Sequence, residues 1–109
     1  MNAVTSETQG GFTVVRLSGE VDLSWSQEVR QAILDALERE SGVGVELSRV
    51  SYIDSSGIAA LVEGFQNARQ NGRRFALVAV SQAVMAVLEL ARLDRVFPIV
   101  ADVDAARAV

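Results

Sequence analysis

A chain of 109 residues, half of them hydrophobic, carries enough apolar side chain to bury one real core, and residues 1–109 read as one domain with no linker or low-complexity tract. It holds no histidine, cysteine or lysine, which excludes a Ser–His–Asp triad, an imidazole base, thiol chemistry, disulfides, His- or Cys-ligated metal, a Walker lysine and a Schiff base; no catalytic residue, cofactor or metal site is expected. A net charge of −4 with dispersed arginines argues against a nucleic-acid duplex as partner, and the absence of a membrane-length apolar run or signal-like N-terminus predicts a cytoplasmic protein without direct membrane insertion.

A short first strand is predicted near Ala3–Thr8, turned by Gly10-Gly11 into a β-branched strand over Phe12–Ser18. Gly19–Leu23 reads as a connector to Ser24, which with Gln27 makes a capping box for a helix running to about Glu40 and burying Val29, Ile33, Ala36 and Leu37. Ser41-Gly42 ends that helix, Val43–Leu47 starts the central strand, and residues 45–53 read as the strand and its exit. Helical spacing then takes over at Ile58, Leu61, Val62, Phe65 and Ala68, closing at Gly72.

Phe75–Val80 is continuously apolar, as in a strand buried on both faces. Ser81 caps a third helix with Val84, Val87, Leu88 and Ala91 at core spacing, Asp94 opens a turn, Phe97–Val100 forms a last short strand, and Asp102 caps a final helical turn or two. The order implies an α/β fold: a mixed β-sheet of about four to five strands, with parallel crossovers, covered by about four α-helices.

The segment Asp54-Ser55-Ser56-Gly57 lies where the central strand hands over to the second helix, at the carboxyl end of the strand, where open α/β sheets place their function. Asp54, Ser55 or Ser56 would be the N-cap, with Gly57 in the first turn. An ordinary cap accounts for one such residue; three in a row are redundant, and a hydroxyl at the positive end of a helix sits where a charge change acts strongly.

Three further features each admit two readings. Gly57, Ala60, Gly64 and Ala68 form a ridge without bulk, suited to close packing inside the chain or to docking a partner. Trp25 either covers the edge of the core or anchors a partner. Arg73-Arg74 follows a helix stop at Asn71-Gly72, where arginines serve the helix dipole or a solvated loop more readily than a phosphate.

Together, Gly19-Glu20-Val21-Asp22, Val45–Val50, Tyr52-Ile53-Asp54-Ser55-Ser56-Gly57-Ile58 and Val80-Ser81 with Leu88, Leu93 and Val96-Phe97 closely resemble the STAS family, in its bacterial anti-sigma factor antagonist form. The resemblance covers nearly the whole chain. It implies a protein that, unphosphorylated, binds an anti-sigma factor with kinase activity and frees the sigma factor, and that is switched off by phosphorylation of Ser55, with Ser56 the alternative acceptor. Asp22, Asp54, Ser55, Ser56, Gly57 and Ile58 would form the partner-binding surface, and catalysis would reside in the partner. The pattern departs at Glu46, where the family commonly carries aspartate. The same family implies a rival: a cytoplasmic subunit of an ABC-type phospholipid transporter, docking on its ATPase. The segment Leu47–Ser51 and the polar edge Glu63, Gln66, Asn67 and Gln70 fit either role.

Overall fold

Gly10 and Gly11 both have left-handed backbone, φ 61° and 78°, the geometry of a two-residue hairpin turn. They join β1 (Ala3–Gln9) to β2 (Phe12–Val21) in antiparallel register, Gln9 opposite Phe12 and Ala3 opposite Ser18. The structure, a computed structural model, describes residues 2–109. After the hairpin come α1 (Ser26–Arg39), β3 (Gly42–Ile53), α2 (Ser55–Gln70), β4 (Arg74–Val78), α3 (Gln82–Leu90), β5 (Ile99–Val100) and α4 (Val103–Arg107). The five strands lie in the order β1-β2-β3-β4-β5, antiparallel at the first pair and parallel thereafter, which is the expected mixed sheet.

Alternation along the strands divides the core in two. Val15, Leu17, Val43, Val45, Leu47 and Leu77 pack with Ile33 and Leu37 of α1, Leu61 of α2 and Leu88 of α3, while Phe12, Val14, Ala76 and Val78 form a smaller cluster with Ala106 of α4. Phe65, Phe75 and Phe97 meet in tilted pairs with centroids 5.4–6.3 Å apart, which draws the β5 approach onto the main core.

Several boundaries differ from the sequence expectation. β2 does not stop at Ser18: Gly19, at φ 102°, stays in the ladder opposite Val50 beside a shift of register, so a residue that reads as a breaker is a bulge. The fragments 43–47 and 45–53 are one strand. The Ser24–Gln27 capping box does not form; α1 starts at Ser26 behind Trp25 without a side-chain cap bond, because Ser24 is engaged by Asp22. β4 ends at Val78, since Ala79 turns left-handed at φ 50°. Ala91 is the exposed C-cap of α3, and Leu93 packs against the core in its place. The last strand shortens to Ile99–Val100 because Pro98 has no N–H to give to a ladder; Phe97 is buried but outside the strand.

Candidate functional site

The carboxyl ends of β2 and β3 leave the sheet side by side, with Val21 paired to Ile53 and the Asp54 N–H donating to the Val21 carbonyl at 3.2 Å. Each strand ends in the same device. At Val21-Asp22-Leu23-Ser24, Asp22 Oδ1 accepts the Ser24 N–H (3.0 Å) and Ser24 O–H (2.6 Å). At Ile53-Asp54-Ser55-Ser56, Asp54 Oδ1 accepts the Ser56 N–H (2.9 Å), the Ser56 O–H (2.6 Å) and the Gly57 N–H (3.2 Å). Asp54 is thus the N-cap of α2, the choice among three candidates that the sequence left open. The doubled hook was missed in the sequence, although its signal, aliphatic-Asp-x-Ser written twice, is there to be read.

The two serines are therefore not equivalent. Ser55 is exposed, and among the described residues its hydroxyl makes no hydrogen bond; Ser56 is half-buried with its hydroxyl committed to Asp54. The Ser56 hydroxyl holds the Asp54 carboxyl below its ordinary pKa range, and the N–H groups of Gly57, Ser56 and Leu23 add to this against a partial loss of solvent that pushes it up.

Gly57 is buried, and a Cβ there would lie 2.6 Å from Ile53 Cγ1, 2.8 Å from Val21 Cγ1 and 2.9 Å from the Val21 carbonyl oxygen. It offers no side chain to a partner; its contribution is to let α2 start hard against two strand ends. Ile58 is half-buried on the main core, and Asp22 is half-buried at the first hook. The small-residue ridge is internal: a Cβ on Gly64 would meet Ile33 Cγ2 at 2.7 Å and Phe75 Cε2 at 3.1 Å, so α1 packs where a docking partner would have had to sit. Trp25 is buried in the main core, which leaves the core-edge reading and removes the anchor reading.

Between the starts of α1 and α2 runs a groove of about 210 Å³ lined by Leu23, Ser26, Gln27, Arg30, Ser56, Ala59, Ala60 and Glu63. Arg30 and Glu63 close one end as a two-pronged pair, Nε to Oε1 at 2.8 Å and Nη2 to Oε2 at 2.7 Å. The pairing raises the Arg30 pKa and lowers that of Glu63. Glu63 thus belongs to a helix–helix clasp, not to a free polar edge. At Glu46 the extra methylene is absorbed by turning the carboxylate back onto the Ser48 N–H at 2.7 Å.

Away from this groove several arginines are engaged inside the chain. Arg73 donates to the Glu40 carbonyl at the end of α1 (2.7 Å), and Arg74 donates to the Arg107 carbonyl while lying over Phe12, as the dipole reading anticipates. Two larger hollows, about 500 and 310 Å³, share Arg16 on the outer sheet face, where Glu7 at 2.9 Å and Glu46 at 3.9 Å already offset its charge. Among the described residues no group of three acidic, histidine or cysteine side chains is placed to hold a metal, and no helix is long and apolar enough to cross a membrane.

A family model of the STAS domain matches residues 3–106. The chain belongs to the STAS domain family. The anti-sigma F factor antagonist of Paenibacillus polymyxa is 29% identical over 98 residues, covering 88% of this chain and 84% of that protein. The crystal structure of an anti-sigma factor antagonist from Mycobacterium paratuberculosis superposes with a TM-score of 0.87 at 26% identity, covering 99% of this chain and 92% of the other. SpoIIAA shares the STAS fold in its unphosphorylated form (TM-score 0.82, 23% identity, 98% of both chains) and, from Bacillus, in its phosphorylated form (0.76, 22%, 97% of both). The Paenibacillus and Mycobacterium relatives are anti-sigma factor antagonists.

Proposed function

We propose that this STAS domain binds an anti-sigma factor through the twin-hook end of the sheet, and that the partner, an ATP-dependent kinase, ends the interaction by phosphorylating Ser55. The observation that carries the reading is the contrast within the serine pair: Ser55 exposed and unbonded, Ser56 held by Asp54 at 2.6 Å. The partner would transfer the γ-phosphoryl of ATP to Ser55 Oγ, take up the hydroxyl proton and release ADP, so that this chain is substrate and switch. A phosphate adds about −1.5 to −2 of charge. Placed beside Asp54 in a surface that must shed water to bind, it brings like-charge repulsion and a desolvation cost. At the start of α2 the same charge is compatible with the helix dipole, so the domain stays folded while the surface changes. That SpoIIAA exists in both forms supports the same use of this fold. The transporter-subunit alternative is not favoured by any of these relatives.

The test is titration with each purified anti-sigma factor encoded in the same genome, with ATP-dependent modification followed by mass spectrometry. Ser55→Ala should bind like wild type and take no phosphate, and Ser55→Asp should bind at least about tenfold more weakly. Equal affinity of the two variants, or phosphate on Ser56, would refute the reading.

A further inference from the structure

We propose that Leu23 is the apolar anchor of this docking surface, entering an apolar pocket with a basic rim on the anti-sigma factor. This rests on the antagonist reading above. Leu23 is 75% exposed, yet the chain around it is fixed. The Asp22 carbonyl accepts the Trp25 and Ser26 N–H groups at 3.0 and 2.8 Å, and Asp22 Oδ1 holds Ser24 on the other side. Trp25, two residues on from Leu23, is buried in the core. A large apolar side chain presented from an ordered backbone loses little conformational freedom on binding, which is what an interface anchor requires.

Its place in the fold connects it to the switch. In the first hook Leu23 stands where Ser55 stands in the second, on paired strands, and Leu23 lines the same groove as Ser56 and Ala59. The surroundings define the partner's chemistry: Asp22 and Asp54 carry negative charge at the two hooks, whereas Arg30, the cation lining the groove, is neutralised by Glu63 at 2.7 Å. A complementary partner thus offers an apolar pocket flanked by positive groups. A phosphate on Ser55 would put charge on the hook beside the residue that has to be dried, so phosphorylation opposes burial of Leu23 as well as repelling at Asp54.

The experiment measures the affinity of wild type, Leu23→Ser, Leu23→Met, Leu90→Ser and Ser55→Asp for the purified anti-sigma factors of the same genome. Leu23→Ser should raise Kd about tenfold or more, as loss of one buried leucine implies. Leu23→Met should stay within about threefold of wild type, because volume is kept. Leu90, 88% exposed at the end of α3, is the control for general stickiness, and Leu90→Ser should bind as wild type. The thermal midpoint of Leu23→Ser should be unchanged, so lost binding cannot be lost folding. Wild-type affinity in Leu23→Ser, alongside weakened Ser55→Asp, overturns the anchor and leaves the antagonist reading standing. Equal losses in Leu23→Ser and Leu90→Ser also overturn it, and a wild type that binds no anti-sigma factor removes both readings.

Discussion

Gly57→Ala tests whether the site depends on the close approach of α2 to the strand ends. The added methyl would lie 2.6 Å from Ile53 Cγ1, 2.8 Å from Val21 Cγ1 and 2.9 Å from the Val21 carbonyl oxygen. Val21 and Ile53 are buried and cannot swing aside, and the carbonyl is part of the backbone that receives the Asp54 N–H. The helix start must therefore shift. Overpacking of this kind costs about 1–3 kcal/mol, while replacing glycine by alanine in a helix returns up to about 1 kcal/mol. The expected net loss is about 1–2 kcal/mol, with a midpoint lower by about 4–8 °C for each kcal/mol. Urea unfolding followed by circular dichroism measures it, and amide shifts of Ser24 and Ser56 report movement of both hooks. Gly72→Ala is the contrast: at φ 65° with nothing within 4 Å of its Cβ, it should lose about 1 kcal/mol to left-handed backbone alone, leave the hooks unmoved, and be rescued by Gly72→Asn. A Gly57→Ala protein as stable as wild type or more so, with unmoved Ser24 and Ser56 amides, would refute the close-approach reasoning.

Trp25→Ala should destabilise the domain by about 3–5 kcal/mol in urea unfolding, because the indole is core and not a binding anchor; a small loss of stability with a large loss of partner affinity would restore the opposite reading. Asp54 supplies a pH signature. Its folded-state pKa is lowered, so the stability it contributes is complete above the ordinary carboxylate value of about 4 and is lost as pH falls through the lowered folded value. The wild-type urea midpoint should drop more as pH falls below about 4 than that of Asp54→Asn, which starts lower at neutral pH and lacks this part of the fall. Parallel pH profiles for the two proteins would show that the hook carries no such linkage.

The helices and the buried strands were legible because their apolar spacing is regular: Val29-Ile33-Leu37, Leu61-Phe65-Ala68 and Phe75–Val78 occupy the positions that periodicity assigns. The seam was legible because capping residues cluster there. Part of what could not be read depends on partners distant in sequence. Gly19 becomes a bulge only because Val50 pairs with it across 31 residues, and Gly64 is a packing notch only because Ile33 and Phe75 press on it. Ser24 loses its capping role to a competitor two residues away, since an aspartate that can reach both its N–H and its O–H holds it outside the helix. The difference between Ser55 and Ser56 likewise needed a direction: both stand in the first turn, but only one points back at Asp54.

That direction also decides where a phosphate on Ser55 would go. The free N–H groups at a helix start draw an anion inward, but at α2 the Ser56 and Gly57 amides are already taken by Asp54 Oδ1, and the Ile58 N–H by the Asp54 carbonyl at 3.0 Å. A phosphate beside them would find the capping site occupied by a carboxylate of its own sign, and would be turned outward instead of folding down onto the helix. The cap would thus keep the domain's structure indifferent to such a phosphate while leaving the added charge on the proposed docking surface. Removing the competing carboxylate should reverse this. In Asp54→Ala the phosphate would have amides to settle on, and phosphorylation of Ser55 should then stabilise the domain, raising its thermal midpoint, where in the wild type it should leave the midpoint nearly unchanged.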